Sequence, residues 1–352
     1  MSVHRALAPA KVNLGLFLGP ARAHDLRHEL VTVMQSISLA DELTLEPLDP
    51  AGGATNADEV ICPGVEGAGD ENLAGRALRA FREATGWDAP PQRLTIEKRI
   101  PVAAGLGGGS ADAAAALRLA AHASGLGDEA LLRSLAARLG ADVPAQVSPG
   151  CWLATGAGET LRRLEDPIGA FALLVLPFRG ELSTAAVYEE ADRLAIARSA
   201  GTLDECLEMV AQAWAHGAPA LGSGSAELLR NDLQQPAVLL CPGILDLLAR
   251  ARASEADLSV LSGSGPTGLG LFAAGDEPGA GRPSGEAPRE RAKLAAGALS
   301  GLVPAPIWAE PVDETFARVR TESEDSGDGA PGPPDSPADS AVRHNQRQTL
   351  DE

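Results

Sequence analysis

Aromatic side chains are scarce in this sequence: six Phe, four Trp and one Tyr among 352 residues. Any aromatic that falls at a candidate ligand position therefore stands out. Cysteine is scarcer still, and Cys62, Cys151, Cys206 and Cys241 lie far apart with no Cys-x-x-Cys pair. That spacing excludes a disulfide framework and a thiolate metal knuckle, and it fits reduced thiols. Six histidines without metal-ligand spacing suggest no metal centre. No apolar run reaches membrane-spanning length, and the basic-then-apolar order of a signal peptide is missing, so a cytoplasmic protein is expected. Basic charge is short as well, 29 Lys and Arg against 48 Asp and Glu, for a net charge of −19. With no basic stripe, neither nucleic acid nor anionic membrane is an expected partner. A polyphosphate would have to be held by local N–H groups, a few cations and a metal ion, against the field of the whole chain.

What is present is a large apolar fraction, 45% and mostly Ala, Leu and Val, in a chain long enough for two domains. The stretch around which it is organised is Pro101-Val-Ala-Ala-Gly-Leu-Gly-Gly-Gly-Ser-Ala111, followed by Asp112 and a run of alanines. A strand-like segment, 94–100, precedes it and an alanine-rich helix ending near Gly125 follows. Gly105, Gly107, Gly108 and Gly109 let the backbone curl so that successive N–H groups face one anion, and Ser110 reads as the N-cap of the helix. A glycine curl joined to a helix N-terminus is a phosphate cradle. It is not the Walker type, because no lysine follows Gly109.

Residues 3–18 alternate as a strand, and Lys11 and Asn13, two apart, project from one face of it. Asp25, Arg27 and His28 lie in the following loop, with strands expected over 30–37 and 41–47. Residues 49–70 read as loop around a short apolar run at 60–62. A helix is expected from 71 to 85 and another from 128 to 139. Asp142 sits just past that second helix, where the dipole disfavours a carboxylate, so it is either exposed or held by a cation. A hairpin over 150–164, a buried strand at 171–176, and helices from 182 to 197, 203 to 215, 225 to 235 and 243 to 253 follow. Gly263-x-Gly265-x-x-Gly268 matches the dinucleotide fingerprint formally, but a strand rather than a helix comes next, so that reading is rejected. A helix at 289–299 and an edge strand at 307–309 come last, ahead of a Ser-, Asp-, Gly- and Pro-rich acidic tail, 321–352, that cannot bury enough apolar surface to order itself.

The spelling of 101–113, with Pro9-Ala-Lys11-Val-Asn13, Gly140-Ala-Asp142-Val-Pro144 and the Ser262-Gly-Ser-Gly-Pro-Thr267 turn, resembles the GHMP small-molecule kinases over most of residues 6–310. Within that family it is most similar to the members acting on a cytidine diphosphate-linked methylerythritol in non-mevalonate isoprenoid precursor synthesis. The resemblance implies an α+β, two-lobed fold with lobes at 1–165 and 166–320, Pro167 at the join, and the active site between them. It implies ATP and Mg2+ as cofactors and transfer of the γ-phosphoryl to the 2-hydroxyl of the sugar alcohol. Pro101, Val102, Ala103, Ala104, Gly105, Leu106, Gly107, Gly108, Gly109, Ser110 and Ala111 would hold the nucleotide, with Asn72 and Lys98 by the adenine. Asp142 would accept the hydroxyl proton and Lys11 would offset developing charge. No second carboxylate suggests itself for the metal, so no residue is assigned to it. Asn13, Arg27, His28, Thr184 and Tyr188 would bind the substrate. The family usually writes Asp-Gly-Tyr-His where this chain has Asp25-Leu-Arg-His28, so Arg27 would stack on the cytosine in place of a tyrosine, opposite Tyr188. The expected state is a monomer or weak homodimer. Two alternatives stay open: a kinase of this fold acting on another small alcohol of the homoserine or mevalonate type, and an ATP-binding regulator without turnover.

Overall fold

The computed structural model describes residues 2–48, 57–65, 72–215, 225–274 and 287–322. Two antiparallel strands dominate it, β1 (His4–Ala21) and β2 (His28–Pro47). The second is a single strand of 20 residues where the sequence suggested two. Residues 38–40 carry no turn chemistry, and both faces are covered there, Leu39 and Ala40 being buried.

The register of β1 on β2 shifts between Pro9 and Lys11, between Asn13 and Gly15, and between Leu18 and Ala21. Such irregularities bend a strand and re-aim its side chains, and they give Pro9 a place inside a sheet. Two of the three bracket Lys11 and Asn13.

Around this pair the first sheet has seven strands. Its main path also takes in β3 (Glu59–Ile61) and β4 (Gln92–Glu97), and β11 (Arg320–Thr321) pairs with the outer edge of β1. The hairpin β5 (Cys151–Thr155) and β6 (Thr160–Arg163) continues β2. Thr321, expected in the tail, is thus paired with His4, and Glu322 N donates to Val3 O; residues 323–352 of that expected tail lie outside the described residues, as do 49–56 and 66–70 of the expected loop and 71 of the expected helix.

Helices cover one face: α1 (Leu73–Thr85), α2 (Gly108–Ser124), α3 (Glu129–Leu139) and the short α4 (Val143–Val147). Alanine at 111, 113–116 and 120 is buried all round α2, and such small side chains let the sheet and α1 approach closely. Arg118 on the same helix is part-buried and donates to Leu7 O, at 3.0 Å, and to Ala317 O. It ties the end of the described chain to β1. Burial pushes its guanidinium down to about 10.

The second sheet has the order β10 (Ile307–Ala309), β7 (Phe171–Leu176), β9 (Gly268–Ala273), β8 (Leu258–Leu261). Around it lie α5 (Thr184–Arg193), α6 (Ala200–Ala213), α7 (Gln234–Leu240), α8 (Ile244–Ala253) and α9 (Pro288–Ala298). The helix expected over 225–235 is instead a run of turns, with α7 beginning only at Gln234. The chain at 230–232 pairs with β1: Leu16 N donates to Arg230 O at 2.8 Å, and Asp232 N to Leu16 O at 2.9 Å. A strand edge satisfied its backbone groups better than one more turn of helix. Val12, Leu14 and Phe17 of β1 share a single apolar core with Phe171, Leu173, Val175 and Leu271 of the second sheet. No described helix is long and apolar enough to cross a membrane.

The loop between β1 and β2 carries Leu26 at φ 60° with its side chain 79% exposed. A left-handed conformation is costly for a branched residue, and no apolar contact of the side chain offsets it. Leu26→Gly is expected to raise stability by about 0.5–1 kcal/mol, glycine's chain entropy taking back part of the gain. A thermal melt that shows no increase would mean the turn is unstrained at this position.

Candidate active site

Lys11 stands where the two sheets meet. Its Nζ donates to Asn13 Oδ1 at 2.9 Å and lies 3.4 Å from Asp142 Oδ2. The lysine side chain is only 11% exposed, while Asp142 is 39% exposed, so the carboxylate opens to the cleft and the cation sits beneath it. Asp142 occupies the residue before α4, with Pro144 in that helix's first turn. Asp142 lies just past α3 and beside a cation, as expected, and it also heads the next helix, the end that favours a carboxylate. Asn13 is fixed on both sides, its Nδ2 donating to Thr32 Oγ1 at 2.8 Å and its backbone N to Ser262 Oγ at 3.2 Å. Asn231 holds the serine-glycine turn in turn, through Leu261 O at 2.8 Å and Gly263 O at 2.7 Å.

The glycine curl lies directly alongside. Ala103, Gly105 and Gly107 have φ of 58°, 74° and 70°, alternating with ordinary backbone, the geometry that turns successive N–H groups inward. The N-cap of α2 is Gly107, not Ser110 as the sequence suggested, and Ser110 falls inside the first turn. The free amides of the helix start are therefore those of Gly108, Gly109 and Ser110. Lys11 N donates to Leu106 O at 2.9 Å, and Thr267 Oγ1 donates to Ala104 O at 2.6 Å, so the curl is pinned by β1 on one side and by the second sheet on the other. Gly105 packs face to face with Gly265: a Cβ at 105 would lie 2.3 Å from Gly265 O.

A cavity of about 370 Å³ opens beside the curl, lined by residues 101–110 together with Asn72, Leu73, Cys62, Lys98 and Asp112. Of the residues expected to hold a nucleotide, Ala111 alone does not line it, being buried in the core beneath α2. Asn72 also caps α1, its Oδ1 accepting from Ala74 N at 2.9 Å. Lys98 is not an exposed strand charge: its Nζ donates to Asp112 Oδ2 at 2.7 Å and to Asp41 Oδ2. Asp41 was read as an ordinary strand residue; its only sequence signal was a carboxylate in an apolar strand.

None of the residues expected to bind the cytidyl end lines that cavity. The rings of His28 and Tyr188 lie 5.7 Å apart at 41°. His28 Nδ1 is 2.8 Å from Gly19 O, and its Nε2 stands 3.0 Å from Asp192 Oδ1, off the line a hydrogen bond needs. Both ring nitrogens of His28 thus face protein groups. Burial pushes the Tyr188 phenol up, nearby Asp142 adds to this, and Arg27 opposes it. Arg27 itself donates to Ala157 O of the β5–β6 turn at 2.7 Å. Thr184 Oγ1 is 2.9 Å from Ser264 Oγ.

Among the described residues no three Asp, Glu, His or Cys side chains are grouped to hold a metal. The donor set offers no protein cage for Mg2+.

The sequence model of the GHMP kinases N terminal domain matches residues 72–150. A 4-diphosphocytidyl-2-C-methyl-D-erythritol kinase of Anaeromyxobacter dehalogenans is 41% identical over 267 residues, 76% of this chain and 80% of that one. Another from the same species, strain 2CP-C, is 38% identical over 91% of this chain and 96% of its own. One from Streptomyces coelicolor is 41% identical over 74% of this chain and 84% of its own. A crystal structure of 4-(cytidine 5'-diphospho)-2C-methyl-D-erythritol kinase superposes with a TM-score of 0.62 at 31% identity, covering 90% of this chain and 97% of that one. A homoserine kinase from Cytophaga hutchinsonii shares the fold at the same TM-score with 14% identity. Relatives 38–41% identical over about three quarters or more of this chain place it in the 4-diphosphocytidyl-2-C-methyl-D-erythritol kinase family of the GHMP kinases.

Proposed function

We propose that the pair formed by Lys11 and Asp142 is the catalytic centre, and that the chain transfers the γ-phosphoryl of ATP to the 2-hydroxyl of 4-diphosphocytidyl-2-C-methyl-D-erythritol, a step of non-mevalonate isoprenoid precursor synthesis. The observation that carries this reading is the 3.4 Å contact between Lys11 Nζ and Asp142 Oδ2 beside the glycine curl. Phosphoryl transfer asks little covalent work of a protein, so positioning and charge stabilisation supply most of the rate. The half-exposed Asp142 carboxylate accepts the hydroxyl proton. Lys11, held by Asn13 and the carboxylate, keeps an ammonium where charge develops on the attacking and transferred oxygens. The amides of the curl and of the start of α2 hold the β- and γ-phosphates. Magnesium, when bound, would supply neutralisation of phosphate charge, and no described cluster of carboxylates is grouped to hold it. The lobes, 1–165 and 166–320, supply the nucleotide loop and the Ser262–Thr267 turn respectively, and the working form is a monomer or weak homodimer.

Tyr188 supports the cytidyl end. It is the only tyrosine in the chain, its ring lies 5.7 Å from that of His28, and the charge of Asp142 is near enough to raise its phenol's pKa. Base stacking on one ring is worth about 1–3 kcal/mol, so Tyr188→Ala raises KM for the cytidyl substrate by roughly ten- to hundredfold while leaving that for ATP alone. An unchanged KM would remove the base clamp. Arg27 closes the same side, held by Ala157 O, and presents a planar cation to the base. The whole reading is tested by coupled ADP-release assays with the diphosphocytidyl substrate beside homoserine and mevalonate. Turnover of either of the latter in preference would overturn the substrate.

A further inference from the structure

A lysine ammonium between two carboxylates forms the inner wall of the cavity beside the glycine curl. Asp41 is fully buried; its Oδ1 accepts from Arg99 N at 2.6 Å and Ile100 N at 2.8 Å, and its Oδ2 takes the Lys98 ammonium. Every acceptor position that matters on Asp41 is committed, so it is the fixed counter-charge. Asp112, 4% exposed and on α2, is different: its Oδ2 accepts from Lys98 at 2.7 Å, but its buried Oδ1 has no partner. Lys98 Nζ would be 3.2 Å from a Cβ at Gly108, so the ammonium lies directly under the start of α2. Two of its three protons are used by the carboxylates, and the third is left for whatever fills the cavity.

We propose that Asp112 is a positioning residue for the nucleotide, acting through Lys98: it holds the ammonium against the cavity wall and sets how much of its charge the ligand meets. The inference rests on the cavity being the nucleotide site. With Asp112 ionised, one ammonium faces two carboxylates, and the wall carries a net negative charge toward a polyanion. With Asp112 neutral, the wall is balanced, and Lys98 is free to give its third proton to the ligand.

The groups facing Asp112 are Asp41 from β2, Lys98 past β4 and the Cys62 thiol past β3; the Arg99 guanidinium turns away to Glu42 at 3.0 Å. Burial first, then Asp41, pushes the Asp112 carboxyl up to about 7 against the pull of Lys98. Burial works against the Lys98 ammonium, but Asp112 and Asp41 outweigh it and raise its pKa. Lys98 thus stays charged while Asp112 titrates near neutrality. A polyanion binds better to the protonated form, so its binding raises the Asp112 pKa. Affinity is then greatest below about pH 7 and falls as pH rises through that value.

The test compares KM for ATP, at saturating magnesium, in wild type, Asp112→Asn, Asp112→Ala and Lys98→Met across about pH 6 to pH 8. Taking each variant as a ratio to wild type cancels the titration of ATP itself. Wild-type KM is expected to rise several-fold over that range and the Asp112→Asn value to stay near its low-pH level, since the amide keeps the bond to Lys98 and cannot ionise. Asp112→Ala frees the ammonium, and KM for ATP rises by roughly tenfold at both ends, the effect falling on KM rather than kcat. A wild-type to Asp112→Asn ratio that is constant with pH, or an alanine variant with normal KM, overturns the proposal. Should the alanine variant not fold, the isosteric asparagine decides alone. Lys98→Met separates the two levels. If it too binds ATP normally, the reading of the cavity as the nucleotide site is what fails; if it binds poorly while both Asp112 variants match wild type, only the role of Asp112 falls.

Discussion

Asp142→Asn lowers kcat by about a hundredfold or more, with KM for ATP changed by less than about threefold, because general-base contributions are of order 10²–10⁴. The amide is isosteric, so the contact with Lys11 survives in shape while the proton acceptor is lost. Asp142 does not line the cavity proposed to take the nucleotide, which is why ATP binding is expected to be spared. Steady-state kinetics with the cytidyl substrate checks the prediction. A variant that keeps near-normal kcat removes Asp142 from the chemistry and leaves Lys11 to act by charge alone.

Gly105→Ala is the second. Its φ of 74° disfavours any side chain, and the added Cβ would sit 2.3 Å from Gly265 O, a backbone atom held on the second sheet. Neither partner can retreat freely: Thr267 ties the adjoining carbonyl at Ala104, and Asn231 holds the turn that carries Gly265. The two costs together are expected to lower stability by about 2–4 kcal/mol and to weaken ATP binding at least about tenfold, since the curl must distort to make room. Denaturant melts and nucleotide titration measure both. Wild-type affinity in a destabilised variant would show that the curl tolerates displacement.

Much of this was legible from residue spacing. The glycine curl after a strand-like run, the pairing of Lys11 with Asn13, and the hairpin at 150–164 all follow from local chemistry, and the structure has them in place. What escaped the sequence was set by tertiary contact. Residues 225–233 have helical composition, yet the edge of β1 claims Arg230 and Asp232 for its own hydrogen bonds. The strand β2 runs unbroken through 38–40 because its flanks are covered on both faces, which no local pattern reveals. The helix α4, which Asp142 precedes, escapes the sequence because five residues are too few to announce themselves by periodicity. Asp112 lay inside the very stretch read most closely. Its meaning depended on Asp41, 71 positions earlier, and on burial that only the packed structure shows.

The pinning of the curl from both sides bears on how ligands enter. Leu106 O is bonded to β1 and Ala104 O to Thr267, and the glycines at 105 and 265 are in backbone contact across the join. Many two-lobed transferases close like jaws on their substrates, using a hinge between rigid bodies. Here the two sheets are already riveted together beside the proposed catalytic pair, and one apolar core runs through both. Separating them would distort the glycine curl rather than open it. Water must therefore be shut out by the ligands themselves, with Val102, exposed on the cavity wall, able to cover them.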